Sequence, residues 1–193
     1  SDVYKRQNEM IDENLHWMVS FYRLSEISGA LFFGQLARRI KRPEIQSDMT
    51  VHFADEARHA ALWTKVLDSL DVEPLNLGRC YQDRYLAEAG IPANVMEVLA
   101  VTQVFEQRVV RTYHQHRKHA LDQQPPIVLA TIDQIMTDER WHIAWVRRAL
   151  EGMRGEFGDD RVTSALDRFR AADERVFSSL VAEHRERLEG AYA

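Results

Sequence analysis

Apolar residues recur at three- and four-residue spacing through four long stretches, the periodicity of amphipathic helices. The first stretch, from about Asn8 to Lys41, carries Leu15, Met18, Tyr22, Gly29, Phe33, Leu36 and Ile40 on one stripe, and Pro43 breaks it. The second runs from Glu44 to Leu70 with Met49, Phe53, Ala60, Trp63, Leu67 and Leu70. The third begins near Pro92, a residue suited to a first helical turn, and carries Val95, Leu99, Thr102, Val109 and Tyr113. Pro125 and Pro126 mark the next break; the fourth stretch then carries Val128, Ile132, Ile135, Val146 and Ala149 and is expected to end near Gly152 and Gly155. A crossover from Asp71 to Ile91, with a short helix around Gln82 to Glu88, separates the second stretch from the third. A fifth amphipathic helix follows Gly158, from Asp160 to Leu188, with Val162, Leu166, Phe169, Val176 and Leu180 on its stripe.

Short loop, long crossover, short loop is one of the known topologies of four-helix bundles. The pattern therefore predicts an all-α protein: a four-helix bundle over residues 8–153, with a long crossover between helices 2 and 3. Residues 154–193 add a C-terminal helix that packs on the bundle or forms an oligomer interface, so that a homodimer is one expected state. Asp2 to Gln7 match one reading frame of a transposon end used in preparing sequencing libraries, and residues 1–7 are expected to be non-native.

Composition narrows the function more than the fold. The one cysteine, Cys80, excludes an intrachain disulfide or a cysteine-rich metal cluster. No apolar run approaches the roughly 20 residues needed to cross a bilayer. With 25 basic against 30 acidic residues, the chain lacks the cationic excess of a phosphate-neutralising nucleic-acid binder. The expected setting is cytoplasmic, with no nucleic-acid or membrane partner. The basic run Arg38-Arg39-Ile40-Lys41-Arg42 reads as cations complementing a helix C-terminus, or alternatively as a docking patch for an acidic redox partner.

Charged residues interrupt the apolar stripes where a plain core would have leucine. Glu26 lies on the first stripe, Glu56 and His59 on the second, Glu106 on the third, and Glu139 with His142 on the fourth. In each ExxH unit the i and i+3 side chains share a helix face, so both can reach one ion. Four carboxylates in one core are prohibitive without counter-charge, and two divalent cations would neutralise them. A single ExxH is weak, since 16 Glu and 8 His produce roughly one such pair by chance. A third copy, Glu13 with His16, is excluded by loop arithmetic. Glu26 lies 17 residues before Pro43 and Glu56 13 after it, so antiparallel helices bring them level; Glu106 and Glu139 stand similarly about the second loop. Glu13 lies 30 residues before Pro43. That offset puts it roughly 25 Å from Glu56 along the bundle.

On Glu26, Asp55-Glu56-Ala57-Arg58-His59, Glu106 and Asp138-Glu139-Arg140-Trp141-His142, the chain resembles the ferritin-like di-iron carboxylate superfamily over residues 8 to 153. The resemblance implies a ferritin-like bundle in which Glu26, Glu56, His59, Glu106, Glu139 and His142 bind two irons and, through them, carry the catalysis. Manganese, or a mixed manganese–iron pair, accepts the same ligands. It further implies that Asp55 and Asp138 hydrogen-bond the ligand histidines from outside. Departures narrow the choice, and none of the following subfamilies fits well. One cysteine leaves no rubredoxin module, and Ala57 stands where haem-binding members have methionine. Trp63 replaces the tyrosine of radical-generating reductase subunits, Val110 the threonine of multicomponent hydroxylases, and Trp141 an arginine common to both groups.

The expected function is a di-iron oxidoreductase that uses dioxygen or hydrogen peroxide to oxidise a small organic substrate. With no flavin or nicotinamide motif, its electrons come from an external donor, a reductase or ferredoxin-like protein. The alternative is a ferroxidase or iron-storage protein. Around Glu26 the helix is unusually small (Ser25, Ser28, Gly29, Ala30), which reads either as close helix approach or as a cavity beside the metals. Phe32, Phe33, Phe105 and Trp63 would suit an organic substrate there. Tyr22 and Trp63 read chiefly as packing, His114, His116 and His119 as a surface cluster, and His52, one turn before Glu56, as a candidate outer partner of the site.

Overall fold

A computed structural model describes residues 12–119 and 124–185. Six helices and no strands are present among the described residues: α1 (Glu13–Arg39), α2 (Pro43–Ser69), α3 (Tyr81–Ala89), α4 (Val95–His119), α5 (Pro126–Phe157) and α6 (Asp159–Glu183). Residues 1–7, read as non-native, lie outside the described residues.

Local chemistry sets the boundaries. Asp12 caps α1, its carboxylate accepting the backbone N–H of Asn14 at 3.0 Å. Pro43 and Pro126 occupy first turns, where a missing N–H costs nothing. The expected end of the fourth long helix near Gly152 and Gly155 is corrected: α5 runs through both. Burial of Met153 and packing of Phe157 on the core offset the weak helix propensity of glycine. The helix stops at Gly158, whose φ of +89° is a conformation that side-chain-bearing residues avoid. α6 begins at the next residue. The third long helix starts at Val95, three residues after Pro92.

Contacts fix the directions. α1 and α2 are antiparallel, with Arg23 donating to Thr64 and Gln46 to the carbonyl of Ala37. α4 and α5 are antiparallel, with Arg117 paired to Asp133 and His142 beside Glu106. α2 meets α4 in the same direction, through His52 with Glu106 and Trp63 with Tyr113. The connection holding α3 therefore returns the chain along the molecule. α6 lies on α4 and α3. There Asp173 takes hydrogen bonds from Tyr81 and Arg108, and the carbonyl of Phe169 takes one from Tyr85.

The apolar core is in two pieces. One gathers Phe33, Met49, Leu99, Trp145 and Phe169; the other gathers Met18, Trp63, Leu67, Tyr113, Ile132 and Ile135. Each such side chain contributes about 1.5–3 kcal/mol when buried. On every long helix of the bundle, buried polar residues lie between the two pieces: Glu26, His52 with Glu56 and His59, Glu106, and Glu139 with His142. No helix among the described residues is long and apolar enough to cross a membrane.

Candidate metal centre

The polar layer gathers seven side chains from four helices, none more than 6% exposed. They form two groups that could each hold a metal ion: Glu26, Glu56, His59 and Glu139, and His52, Glu56, Glu106 and His142. Within each group the potential ligand atoms lie within 4.8 Å of one another, and Glu56 belongs to both. All six residues singled out by spacing are thus brought together. The seventh, His52, lies inside the second group rather than outside it. Its signal was a polar residue on the α2 face that carries Met49 and Glu56.

Both ExxH histidines are oriented from the far side. His59 Nε2 meets Asp138 Oδ2 at 3.1 Å, and His142 Nε2 meets Asp55 Oδ2 at 3.3 Å. Each aspartate therefore serves the histidine of the opposite motif. Arg58 donates to both aspartates at 2.8 Å, locking the pair into one array. An Nε2–H donated outward leaves Nδ1 facing the carboxylates. His59 Nδ1 lies 3.3 Å from Glu139 and 3.6 Å from Glu26; His142 Nδ1 lies 3.0 Å from Glu139 and 3.5 Å from Glu56. His52 Nε2 contacts Glu106 Oε1 at 2.8 Å, and its ring stacks on His142 with centroids 3.7 Å apart.

Protons do the balancing when no metal is bound. Burial alone would lower the pKa of His59, but the carboxylates of Glu139 and Glu26 outweigh it and raise the value to about 11. Burial opposes and Glu106 and Glu139 likewise raise His142, to about 12. Burial, then repulsion from Glu26, Glu106 and Glu139, drives Glu56 well above the ordinary carboxylate range. His52 is driven down by burial and by the neighbouring His142. The donor set suits hard or borderline divalent cations. Four atoms in the layer, His52 Nδ1, Glu56 Oε1, His59 Nδ1 and Glu139 Oε1, have no hydrogen-bond partner. Buried polar atoms are seldom left so, and coordination would satisfy them.

Backbone shape contributes at Gly29. A Cβ there would stand 2.6 Å from Glu56 Oε2, closer than packing permits. Of the two readings of the small residues around Glu26, close approach holds at this position, and what approaches is the shared carboxylate. A cavity is also present nearby. It has a volume of about 90 Å³, lies among α1, α3, α4 and α6, and reaches Glu26 and Glu56. Phe105 lines it, as do Trp17 and Phe21; Phe32, Phe33 and Trp63 do not.

Above the layer the sequence reading needs correction at His116. It is buried, with Nδ1 2.9 Å from the Tyr22 hydroxyl and Nε2 2.6 Å from Gln124, while His114 is exposed and the His119 side chain lies outside the described residues. Tyr22 and Trp63 are packed in the core as expected. Trp63 also donates to the Tyr113 hydroxyl at 3.0 Å, and Tyr113 donates to Glu26 at 2.5 Å. Tyr113 had looked like one more residue of the apolar stripe. Glu13 is exposed, and His16 Nε2 meets the carbonyl of Glu73 at 2.7 Å, apart from the buried groups.

No known protein family, curated protein or solved structure matches this chain.

Proposed function

We propose that the protein is a ferritin-like di-iron oxidoreductase that uses dioxygen or peroxide to oxidise a small organic molecule. The observation that carries this reading is the pair of buried ligand groups sharing Glu56, with four inward atoms that have no hydrogen-bond partner. Glu26, Glu56, His59 and Glu139 would hold one ion, and His52, Glu56, Glu106 and His142 the other. The ferritin-like assignment rests on the two Asp-Glu-x-x-His motifs and on the return of the chain through α3 between α2 and α4. Manganese or a mixed pair would fit the same donors.

When bound, an iron pair supplies redox electrons for O–O bond chemistry that these side chains cannot perform alone. The chain's own contributions follow from its geometry. Asp55, Asp138 and Arg58 hold the His142 and His59 rings so that Nδ1 faces inward. Tyr113 donates a hydrogen bond that orients the Glu26 carboxylate, and the two apolar core pieces exclude water from the layer. An external electron donor completes the proposed system, since the described residues form no flavin or nicotinamide fold.

Iron handling is the alternative. α6 favours the enzyme reading, because it lies along α3 and α4 and closes a cavity beside the carboxylates, as a substrate site requires. Anaerobic titration with iron(II), followed by oxygen, tests the proposal. Two irons per chain and a ferric absorption band are expected; fewer than two, or no band, would overturn it. A particle of hundreds of kilodaltons on gel filtration would shift the reading to storage.

A further inference from the structure

The cavity beside the carboxylates is walled chiefly by apolar side chains, among them Met18, Phe21, Phe105, Val109 and Leu180. Besides Glu26, Glu56, Arg108 and Thr112, two polar lining residues, Ser25 and Gln82, break that character. Ser25 Oγ and Gln82 Oε1 are both buried without a hydrogen-bond partner. Gln82 is held in place, since its Nε2 donates to the carbonyl of Ser25 at 2.9 Å. Exchanging the amide ends would set oxygen against oxygen, so Oε1 is the free end. A buried acceptor left unpaired costs about 1–3 kcal/mol, and a ligand that supplies a donor recovers that.

The placement of these atoms orients the ligand. Gln82 Nε2 and Glu56 Oε2 both lie within 4 Å of the point where a Cβ on Gly29 would stand, at 3.8 and 2.6 Å. Ser25 precedes Glu26 on α1. The polar end of the cavity is therefore also its carboxylate end, and the apolar walls lead away toward α6. Trp17, Phe21 and Leu180 line both this cavity and a surface groove with Leu75, Arg79 and Glu183, so these three side chains stand between the cavity and the groove. At about 90 Å³ the space is smaller than the ~150 Å³ apolar cavity that accepts benzene.

We propose that this cavity binds a small, slender, mainly apolar molecule carrying one hydroxyl or amino group, which Ser25 and Gln82 hold at the end beside Glu26 and Glu56. This deepens the reading of an organic-substrate oxidoreductase and rests on it. It places the carbon that bears the hydroxyl or amine, rather than the far end of the chain, next to the candidate metal centre. Water alone would satisfy the two polar atoms but leave the apolar walls uncovered, whereas such a ligand does both.

Two isomers of equal size separate the possibilities: butan-1-ol, which donates a hydrogen bond, and methyl propyl ether, which cannot. Binding to the full chain is measured by ligand-detected NMR, on protein as purified and after chelation, with helix content checked by circular dichroism. The alcohol should bind about tenfold more tightly than the ether, the worth of one recovered hydrogen bond. Gln82→Met should erase the preference while retaining ether binding, and Val109→Phe, which fills the cavity, should remove both ligands. Equal affinities, a preference that survives in Gln82→Met combined with Ser25→Ala, or no binding of either isomer would overturn the proposal. Metal content is counted separately. Loss of the metal reading with the alcohol preference intact, or the reverse, shows which of the two has failed.

Discussion

The group of Glu26, Glu56, His59 and Glu139 offers three carboxylates and one imidazole, whereas that of His52, Glu56, Glu106 and His142 offers two of each. Their surroundings differ in the same sense. Glu26, which belongs to the first group alone, reaches the cavity and accepts from Tyr113, so the first group faces space and a hydrogen-bond donor. The second meets the cavity only through the shared Glu56, and aromatics cover its other side: Phe33 packs on His52 with centroids 4.4 Å apart, and Trp145 meets the same ring edge-on. A near-repeat in sequence has thus been folded into two unlike positions. The more anionic one, open to a cavity, is equipped to meet a ligand; the more nitrogen-rich one, walled by aromatics, is equipped to hold an ion still. Two metals should accordingly bind with unequal affinity.

The largest effect should come from the residue the two groups share. Glu56→Ala should reduce metal content from two ions per chain to none, while Glu26→Ala and Glu106→Ala should each spare the group they do not belong to. Metal analysis after gel filtration decides this. Because Glu56 is crowded by Glu26, Glu106 and Glu139, its removal should relieve repulsion in the metal-free bundle. A gain of about 1 kcal/mol would raise the metal-free melting temperature by about 2–4 °C, whereas with metal present the variant should melt below the metal-loaded parent, having lost the stabilisation that bound ions give.

Next in size is a dependence on pH that metal should abolish. His59 and His142 hold protons in the folded metal-free protein up to about 11 and about 12, far above the ordinary 6.5. The folded state therefore binds more protons than the unfolded one above pH 6.5. This stability is fully present below that pH and is lost as pH rises toward the folded values. The slope is about 1.4 kcal/mol per pH unit for each imidazole that keeps its proton. Chemical denaturation of chelated protein at pH 6 and pH 9 should show the loss. In metal-loaded protein both rings are already deprotonated, and the trend should flatten or reverse.

The contrast between the groups can then be sharpened at His52. His52→Leu should weaken one metal about 10–100-fold and leave the other within about twofold, read by competition with a chelator of known affinity. An equal loss at both positions would mean that His52 acts on the layer as a whole.

His52 also marks how far the sequence could be read. The six residues with ExxH spacing, or alone on an apolar stripe, were legible because helical periodicity converts spacing directly into a shared face. His52 was visible only as a polar interruption. Whether it faces the ligands or stands behind them depends on how α2 is rotated against α4, and periodicity does not fix that rotation. Tyr113 was invisible because its ring belongs to the core while only its hydroxyl belongs to the site. His116 was misplaced for a related reason: its partner Tyr22 lies on α1, 94 positions away. The buried Asp173 of α6 is satisfied by Tyr81 and Arg108, from two other helices. No local pattern announces such a pairing. Helix ends were read well at Pro43 and Pro126, three residues early at Pro92, and poorly at Gly152 and Gly155, where burial of Met153 overrides propensity.

A smaller effect is expected at Gly29. Gly29→Ala should favour α1 by about 1 kcal/mol in helix propensity but push the Glu56 carboxylate aside. Metal-free stability should therefore change little, while the affinity for both ions falls about tenfold. A drop confined to one ion would show that Glu56 can retreat toward the other group.

The smallest effect should be at the third ExxH. Glu13 sits in the exposed first turn of α1, and His16 reaches the carbonyl of Glu73 rather than any carboxylate of the layer. Glu13→Ala removes a negative charge from a helix N-terminus, worth about 0.3–1 kcal/mol. His16→Ala removes one partly exposed hydrogen bond, worth about 0.5–1.5 kcal/mol. Both variants should keep two metals per chain at unchanged affinity, with melting temperatures a few degrees lower at most. The same three-residue spacing that helps build the two groups at Glu56 and Glu139 is here inert, because α1 has already carried it past the level of the layer. If Glu13→Ala lost metal while Glu26→Ala kept it, the pairing of α1 with α2 that places Glu26 beside His59 would be the wrong register.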